Sequence, residues 1–318
     1  MTLVADHLTV RLYPAQGGAV HAVDDVSWRL EPGRTLAIVG ESGSGKTVMS
    51  LAPLGLLPPG VSADISGAVT LDGAAPVLGR DVGVVFQDPP SALNPLRRVG
   101  AQVTDAARLP RKARRARAIE LLDLVGLPDP VRAADAYPHE LSGGMLQRAM
   151  IAGALAGEPR VLIADEPTTA LDPSMQDQVL DVLSELQARL GLALLLITHD
   201  IGVVARMADD VAVMYAGRIV EQGPARRVLD APEHPYTQGL LAAVPSADVS
   251  KEGLSLFSDN CRARRFVGLD GAPPDLTTRI RGCAFAPRCP LALDVCASDR
   301  PELVDGVSCH VRTHAHRR

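Results

Sequence analysis

Lysine is nearly missing from this 318-residue chain: only Lys46, Lys112 and Lys251 occur, and arginine supplies the rest of its 32 basic residues. Against 37 acidic residues the formal net charge is −5, which excludes the global basic field of a nucleic-acid binder, so no nucleic-acid partner is expected. Long apolar runs are missing too. The longest relevant stretch, residues 192–197, is far short of the roughly 18–20 residues a membrane span requires. The N-terminus lacks a basic stretch leading into an apolar core, so no secretory signal is expected and a cytoplasmic chain is. With 28 Gly and 25 Pro the chain is not of low complexity, and no internal repeat is visible. Apolar residues at 47% and charged residues at 22% describe a globular protein, long enough for one large domain with something appended.

Residues 8–12, 23–30 and 36–39 alternate apolar and polar positions, which predicts strands. Residues 67–72 and 82–86 read as further strands, separated by Gly- and Pro-bearing turns. From about Val99, Ala, Arg and Leu recur at helical spacing. A helix over 111–126 puts Ile119, Leu122 and Val125 on one face and carries a basic run, Arg111 to Arg117, that reads as a solvated face. Ser142 is placed as the N-cap of a helix over 145–156. Residues 161–164 and 192–197 are fully apolar strands, flanking a helix over 175–190 expected to bury Val179, Val182, Leu186 and Leu190. Strand, helix, strand without tight hairpins predicts right-handed βαβ units and an α/β core. After Gly223 the pattern loosens into short Pro-punctuated helices, so a domain boundary is expected there.

Gly40, Gly45, Lys46 and Thr47, with Ser42, Gly43 and Ser44 between them, fit G-x-x-x-x-G-K-[ST] after a strand and before a helix. A chain of this composition would hold on the order of 0.002 such matches by chance. Glycines let backbone N–H groups converge on phosphate oxygens; the lysine neutralises phosphate charge and the threonine hydroxyl ligates Mg²⁺. None of the three lysines follows an asparagine, as a guanine-reading Asn-Lys-x-Asp element would require, so ATP is the expected nucleotide. Downstream, an apolar strand ends in Asp165 and Glu166. The first can hold the Mg²⁺ shell, and the second can polarise an attacking water. Ser142, Gly143 and Gly144 form a second hydroxyl-capped, glycine-bearing helix start, which in isolation is an ordinary N-cap.

Taken together, residues 40–47, Gln87 in Phe-Gln-Asp-Pro, Leu141 to Met145, Asp165-Glu166, Ala170-Leu-Asp172 and His199 in Ile-Thr-His-Asp resemble the ATPase subunit of an ATP-binding-cassette (ABC) transporter, in family order. The wider strings around Phe86, Tyr137 and Asp165, with His234-Pro-Tyr-Thr237, resemble the oligopeptide, dipeptide and nickel importers. The resemblance implies a P-loop NTPase cassette with a RecA-like core, an antiparallel β subdomain and a helical subdomain. It places the ATPase domain at 1–224, the helical signature subdomain at about 92–157, and a cysteine-rich extension at 225–318. It also implies roles. The P-loop, Asp165, Glu166 and His199 share one nucleotide site. Ser142, Gly143 and Gly144 complete the γ-phosphate site of a partner ATPase, expected to be a homologous, non-identical subunit. Gln87 touches the Mg²⁺ and water region and couples it to two transmembrane permeases. Tyr13 is the candidate to stack on adenine. An extracytoplasmic substrate-binding protein and a place on the cytoplasmic face of the membrane complete the expected assembly. Two departures stand out: the spacer from P-loop to Gln87 is short, implying a trimmed antiparallel subdomain, and Met145 replaces the commonest signature glutamine.

Cys283, Cys289, Cys296 and Cys309 fall in one short window, and Cys261 sits apart as an expected free thiol. In a reducing compartment such a cluster reads as ligation before disulfides. The spacing matches neither common zinc nor ferredoxin patterns, so it says only that four soft ligands serve one site. The resemblance implies a [4Fe–4S] cluster, with structural zinc and free thiols as the other readings. A soluble ABC ATPase of DNA repair or translation is the rival function; long cassette insertions or a second cassette would mark it, and neither is present. A non-catalytic iron–sulfur regulatory module is the rival from another class, distinguished by whether ATP turns over.

Overall fold

The computed structural model describes residues 1–169, 171–243 and 270–311; Ala170, Lys251 and Cys261 lie outside them. The chain forms β1 (Leu3–Pro14), β2 (Val20–Leu30) and β3 (Thr35–Val39), then α1 (Lys46–Leu51) and β4 (Val61–Leu71). β5 (Val82–Val85) leads into α2 (Pro89–Ala92), α3 (Val99–Val103), α4 (Arg111–Leu124), α5 (Pro130–Asp135) and α6 (Gly143–Leu155). β6 (Val161–Asp165), α7 (Pro173–Leu190) and β7 (Ala193–Ile197) follow, then α8 (Ile201–Met207), β8 (Asp210–Tyr215) and β9 (Arg218–Pro224). Short helices α9 (Ala225–Asp230), α10 (Pro235–Ala242) and α11 (Asp294–Ser298) come last. The chain divides into two compact units. The first comprises Met1–Leu3, Leu30–Thr35 and Thr70–Ile197; the second comprises Val4–Arg29, Leu36–Val69 and the described residues from Thr198 onward.

In the first unit β5, β6 and β7 run parallel, with Val84 opposite Ile163 and Ile163 opposite Leu195. All three strands are buried along their length, as parallel strands covered on both faces must be. α7 starts at Pro173, with the Asp172 carboxylate accepting from the Met175 amide at 3.0 Å, and stops at Gly191 in the left-handed region. Its buried face is Val179, Leu180, Leu183 and Leu186, which corrects the sequence expectation at two positions. The buried arc is centred nearer Leu183, so Val182 falls on its flank. Leu190 keeps the right angular position but lies in the last turn, where it stays 49% exposed. α4 buries Ala118, Leu121 and Leu122, and Ile119 is only half-buried. Its basic run is a solvated face in which Arg115 pairs with Asp135 and Arg117 with Glu120 and Glu158.

The second unit holds a three-stranded sheet of order β2-β1-β4 with strands of 11, 12 and 11 residues respectively. β4 begins at Val61, well before the expected residue 67, because most of its first residues are exposed and the apolar alternation that marks a strand is faint there. In the same unit β3 pairs parallel with β8, and β8 antiparallel with β9. Their core joins Val39, Val213 and Val228 to three rings, Tyr215, Tyr236 and Phe285, with centroids 4.5–5.5 Å apart, the two tyrosines tilted to each other and Phe285 edge-on to both. The cysteine-bearing residues return to β9: the Gln222 amide donates to the Gly306 carbonyl at 2.7 Å, and the Ser308 amide to the Val220 carbonyl at 2.9 Å. Among the described residues no helix is long and apolar enough to cross a membrane.

Candidate functional site

β3, buried along its length, delivers the chain to Gly40, and α1 begins at Lys46. The turn between them tolerates no side chain at either end. A Cβ on Gly40 would stand 2.1 Å from the Met214 carbonyl oxygen, and one on Gly45, where φ is 99°, 2.1 Å from that of Ala22. Lys46 is buried, and its ammonium donates to the carbonyls of Gly40 at 2.8 Å and Glu41 at 2.9 Å. The Ser44 hydroxyl is buried with no hydrogen-bond partner among the described residues, an orphaned donor that a phosphate oxygen would satisfy. Ser42, Gly43 and Thr47 are exposed, so the outer wall of the loop faces solvent.

The same second unit holds His199 and Tyr13. His199 is exposed between Thr198, whose amide donates to the Ile38 carbonyl at 3.2 Å, and Asp200, which caps α8 by accepting from the Gly202 amide at 2.7 Å. Its backbone is therefore fixed on both sides. Tyr13, near the end of β1, is 38% exposed, and its hydroxyl donates to the Asp64 carboxylate at 2.7 Å. That bond raises the Tyr13 pKa and tethers the ring to β4.

The first unit gathers the carboxylates. Asp165 ends β6 and is buried. Glu166 follows in the left-handed region at φ 48°, its amide donating to the Ile197 carbonyl at 2.8 Å. The Gln87 side-chain amide and the Thr169 hydroxyl both donate to the same Glu166 oxygen, each at 2.9 Å. Strand register explains the first contact: β5 places Val85 opposite Ala164, so two residues later Gln87 and Glu166 leave the sheet as neighbours. Thr169 was not singled out in the sequence, although its spacing of three from Glu166 is a local signal. In the same unit Ser142 caps α6, accepting from the Met145 amide at 3.4 Å. The helix starts at Gly143 rather than at Met145, and Gly144 packs so tightly that a Cβ would meet the Met175 methyl at 1.7 Å.

In the second unit Cys296 is buried and Cys283, Cys289 and Cys309 are half-buried, all as free thiols. Burial pushes the Cys283 thiol up to about 11, and the neighbouring Cys296 and Cys309 push the same way. Burial also raises Cys289, again with Cys309 and Cys296 adding to it. The four are thus electrostatic neighbours. Among the described residues, however, no three His, Cys, Asp or Glu side chains converge as a metal-ligand set. Cys261 lies outside the described residues. Sequence reasoning missed Arg288 and Tyr236, which hold the P-loop residue Glu41: the guanidinium reaches both carboxylate oxygens at 2.9 and 3.1 Å, and the tyrosine hydroxyl accepts from the Glu41 amide at 2.9 Å. No local pattern announces a contact across 247 positions.

Residues 23–169 match the ABC transporter family, and residues 220–296 match the oligopeptide/dipeptide transporter C-terminal region. The dipeptide transport ATP-binding protein DppD of Haemophilus influenzae is 45% identical over 306 residues, 92% of this chain and 89% of that protein. The oligopeptide transport ATP-binding protein OppD of Mycobacterium bovis is also 45% identical, over 94% of this chain but 49% of its own length, so the chain spans about half of that relative. A bacterial ABC transporter cassette solved as a dimer superposes with a TM-score of 0.60 at 27% identity, covering 70% of this chain and 99% of that one. Together with the P-loop and the carboxylate-tipped strand, these likenesses show that the chain belongs to the ABC transporter family of ATP-binding proteins, in its oligopeptide/dipeptide branch.

Proposed function

We propose that this chain is the ATP-binding and ATP-hydrolysing subunit of an ABC importer that drives peptide uptake. The observation that carries the reading is Glu166, set beside the buried Asp165 at a strand end and held on one oxygen by Gln87 and Thr169. In this reading the amides of residues 40–45, Lys46 and Ser44 bind the phosphates, and Thr47, Gln87 and Asp165 surround Mg²⁺. Glu166 orients and polarises the attacking water, and His199 senses the γ-phosphate. Tyr13 stacks on adenine. Ser142, Gly143 and Gly144 serve the nucleotide of a second, homologous ATPase subunit when ATP closes the pair, and reopening follows hydrolysis. Gln87 relays that cycle to two permeases, fed by an extracytoplasmic binding protein, with this chain peripheral on the cytoplasmic face of the membrane.

Domain limits of 1–224 for the ATPase, with its signature helices at about 92–157, and 225–318 for the extension belong to the same proposal. So does one [4Fe–4S] cluster on Cys283, Cys289, Cys296 and Cys309. Its support is the donor set: four soft thiols fall in one segment, and burial holds Cys283 and Cys289 above the ordinary thiol range, so those two form thiolates readily only beside a cation. Bound there, a cluster would tie that segment together.

The test is uptake of labelled di-, tri- and pentapeptides by proteoliposomes carrying the chain with its permeases, partner ATPase and binding protein. MgATP-dependent uptake of a peptide, abolished by Glu166→Gln, is the expected result. Uptake of a nickel chelate but no peptide would move the protein to the metal-importing side of the branch. Absence of any ATP turnover would overturn the enzymatic reading.

A further inference from the structure

Glu41 stands second in the P-loop, and every polar group it owns is engaged. Its carbonyl accepts from the Lys46 ammonium at 2.9 Å. Its amide donates to the Tyr236 hydroxyl at 2.9 Å. Its carboxylate takes both arms of the Arg288 guanidinium, at 2.9 and 3.1 Å. Arg288 also donates to the Tyr215 hydroxyl at 3.2 Å, and its guanidinium lies 5.8 Å from the centre of that ring. The Arg288 side chain is only 6% exposed and Glu41 24%, so this forked pair is shielded from the solvent screening that weakens surface ion pairs. The Glu41 carboxylate holds the Arg288 pKa above its ordinary value.

This arrangement solves an electrostatic problem. A carboxylate beside a loop that binds a polyanion repels that polyanion unless its charge is neutralised. Resting on the nucleotide reading above, we propose that Arg288 is a positioning residue for the bound nucleotide: it neutralises Glu41 and, with Tyr236, fixes the peptide whose carbonyl seats the Lys46 ammonium. A lysine at 288 would keep the charge and lose the fork. Residues of the C-terminal segment would then set nucleotide affinity without touching the nucleotide.

The experiment is equilibrium titration of the full chain with MgATP, alongside the steady-state KM and kcat of the assembled transporter. Arg288→Ala is expected to raise Kd and KM for MgATP about tenfold with kcat within about threefold, because the loss is one of binding. Arg288→Lys should fall between. The decisive arm is Glu41→Gln combined with Arg288→Ala. Removing the unpaired carboxylate should recover most of the lost affinity, which a purely structural role for Arg288 would not do. A double variant binding no more tightly than Arg288→Ala, or a folded Arg288→Ala with wild-type Kd, overturns the inference. If Arg288→Ala does not fold, Arg288→Lys and Tyr236→Phe carry the test, each expected to weaken binding about threefold; wild-type Kd in both overturns it. A wild-type chain that binds no MgATP overturns the nucleotide reading and this inference together, whereas tight wild-type binding with indifferent variants overturns this inference alone.

Discussion

Gln87 and Glu166, 79 positions apart in sequence, meet through a 2.9 Å hydrogen bond from amide to carboxylate. Two parallel strands ending side by side make the contact, and Thr169 joins it on the same oxygen. A carboxylate gripped in this way has a defined direction before any substrate arrives. Orientation of that kind is what a general base needs if it is to act on one water among many.

Glu166→Gln should therefore keep ATP binding and lower hydrolysis by roughly 10²–10⁴, the usual worth of a positioned base. The amide keeps the shape and can still accept from Gln87 and Thr169, so the loss is chemical rather than structural. Near-wild-type turnover in a complex whose only intact catalytic site carries this substitution would remove Glu166 from its role.

Ser142→Arg should spare nucleotide binding at this chain's own P-loop while lowering turnover by roughly 10²-fold in the assembled complex. It removes the cap over the Met145 amide and sets a bulky fixed charge at the start of α6. Loss of this chain's own ATP affinity, measured by titration of the variant, would show that the serine does not act on a partner's nucleotide.

Anaerobically purified chain should be brown and carry iron and acid-labile sulfide in near-equal amounts, both lost when Cys283, Cys289, Cys296 or Cys309 becomes Ser. The same substitutions should destabilise the segment from residue 270 onward, because folding and ligand retention are linked. Colourless protein holding about one zinc would replace the cluster with a structural metal site.

His234 predicts a pH effect. It caps α10 through its ring nitrogen, accepting from the Tyr236 amide at 3.0 Å, while the Glu221 carboxylate takes the His234 amide at 3.0 Å. Burial depresses its pKa from 6.5 to about 4, against a smaller opposing push from a hydrogen bond to the Ser308 backbone. Below 6.5 the unfolded chain takes up a proton that the folded chain refuses until about 4, so stability falls as pH drops through that window. The loss from this one group is about 3 kcal/mol and levels off below it. Denaturant titrations of His234→Asn, which keeps a capping acceptor, should lose that part of the pH dependence; an unchanged pH profile would assign it elsewhere.

What was legible in the sequence was what is local. Gly40, Gly45, Lys46 and Thr47 occur at offsets that one loop dictates, Ser142 precedes its helix by one residue, and Asp165 ends an unbroken apolar run. Each can be read without knowing what packs against it. α7 shows the limit even for local patterns, since the true orientation of its buried arc depends on the surface it meets, and Val182 lost to Leu183. β4 was underread because an exposed strand needs no apolar alternation. Arg288 was invisible for a different reason: its partner lies 247 residues earlier, and only the folded second unit brings them together.

The return of residues 304–308 to β9 has a consequence of its own. β9 is a terminal strand of its sheet, and a terminal strand left bare offers unpaired amides and carbonyls to any other extended chain. Here the Gln222 amide and the Val220 carbonyl are already taken by Gly306 and Ser308. The cysteine-bearing segment therefore serves as a selvedge, and a chain shortened before it would expose a template for sheet-to-sheet association between molecules.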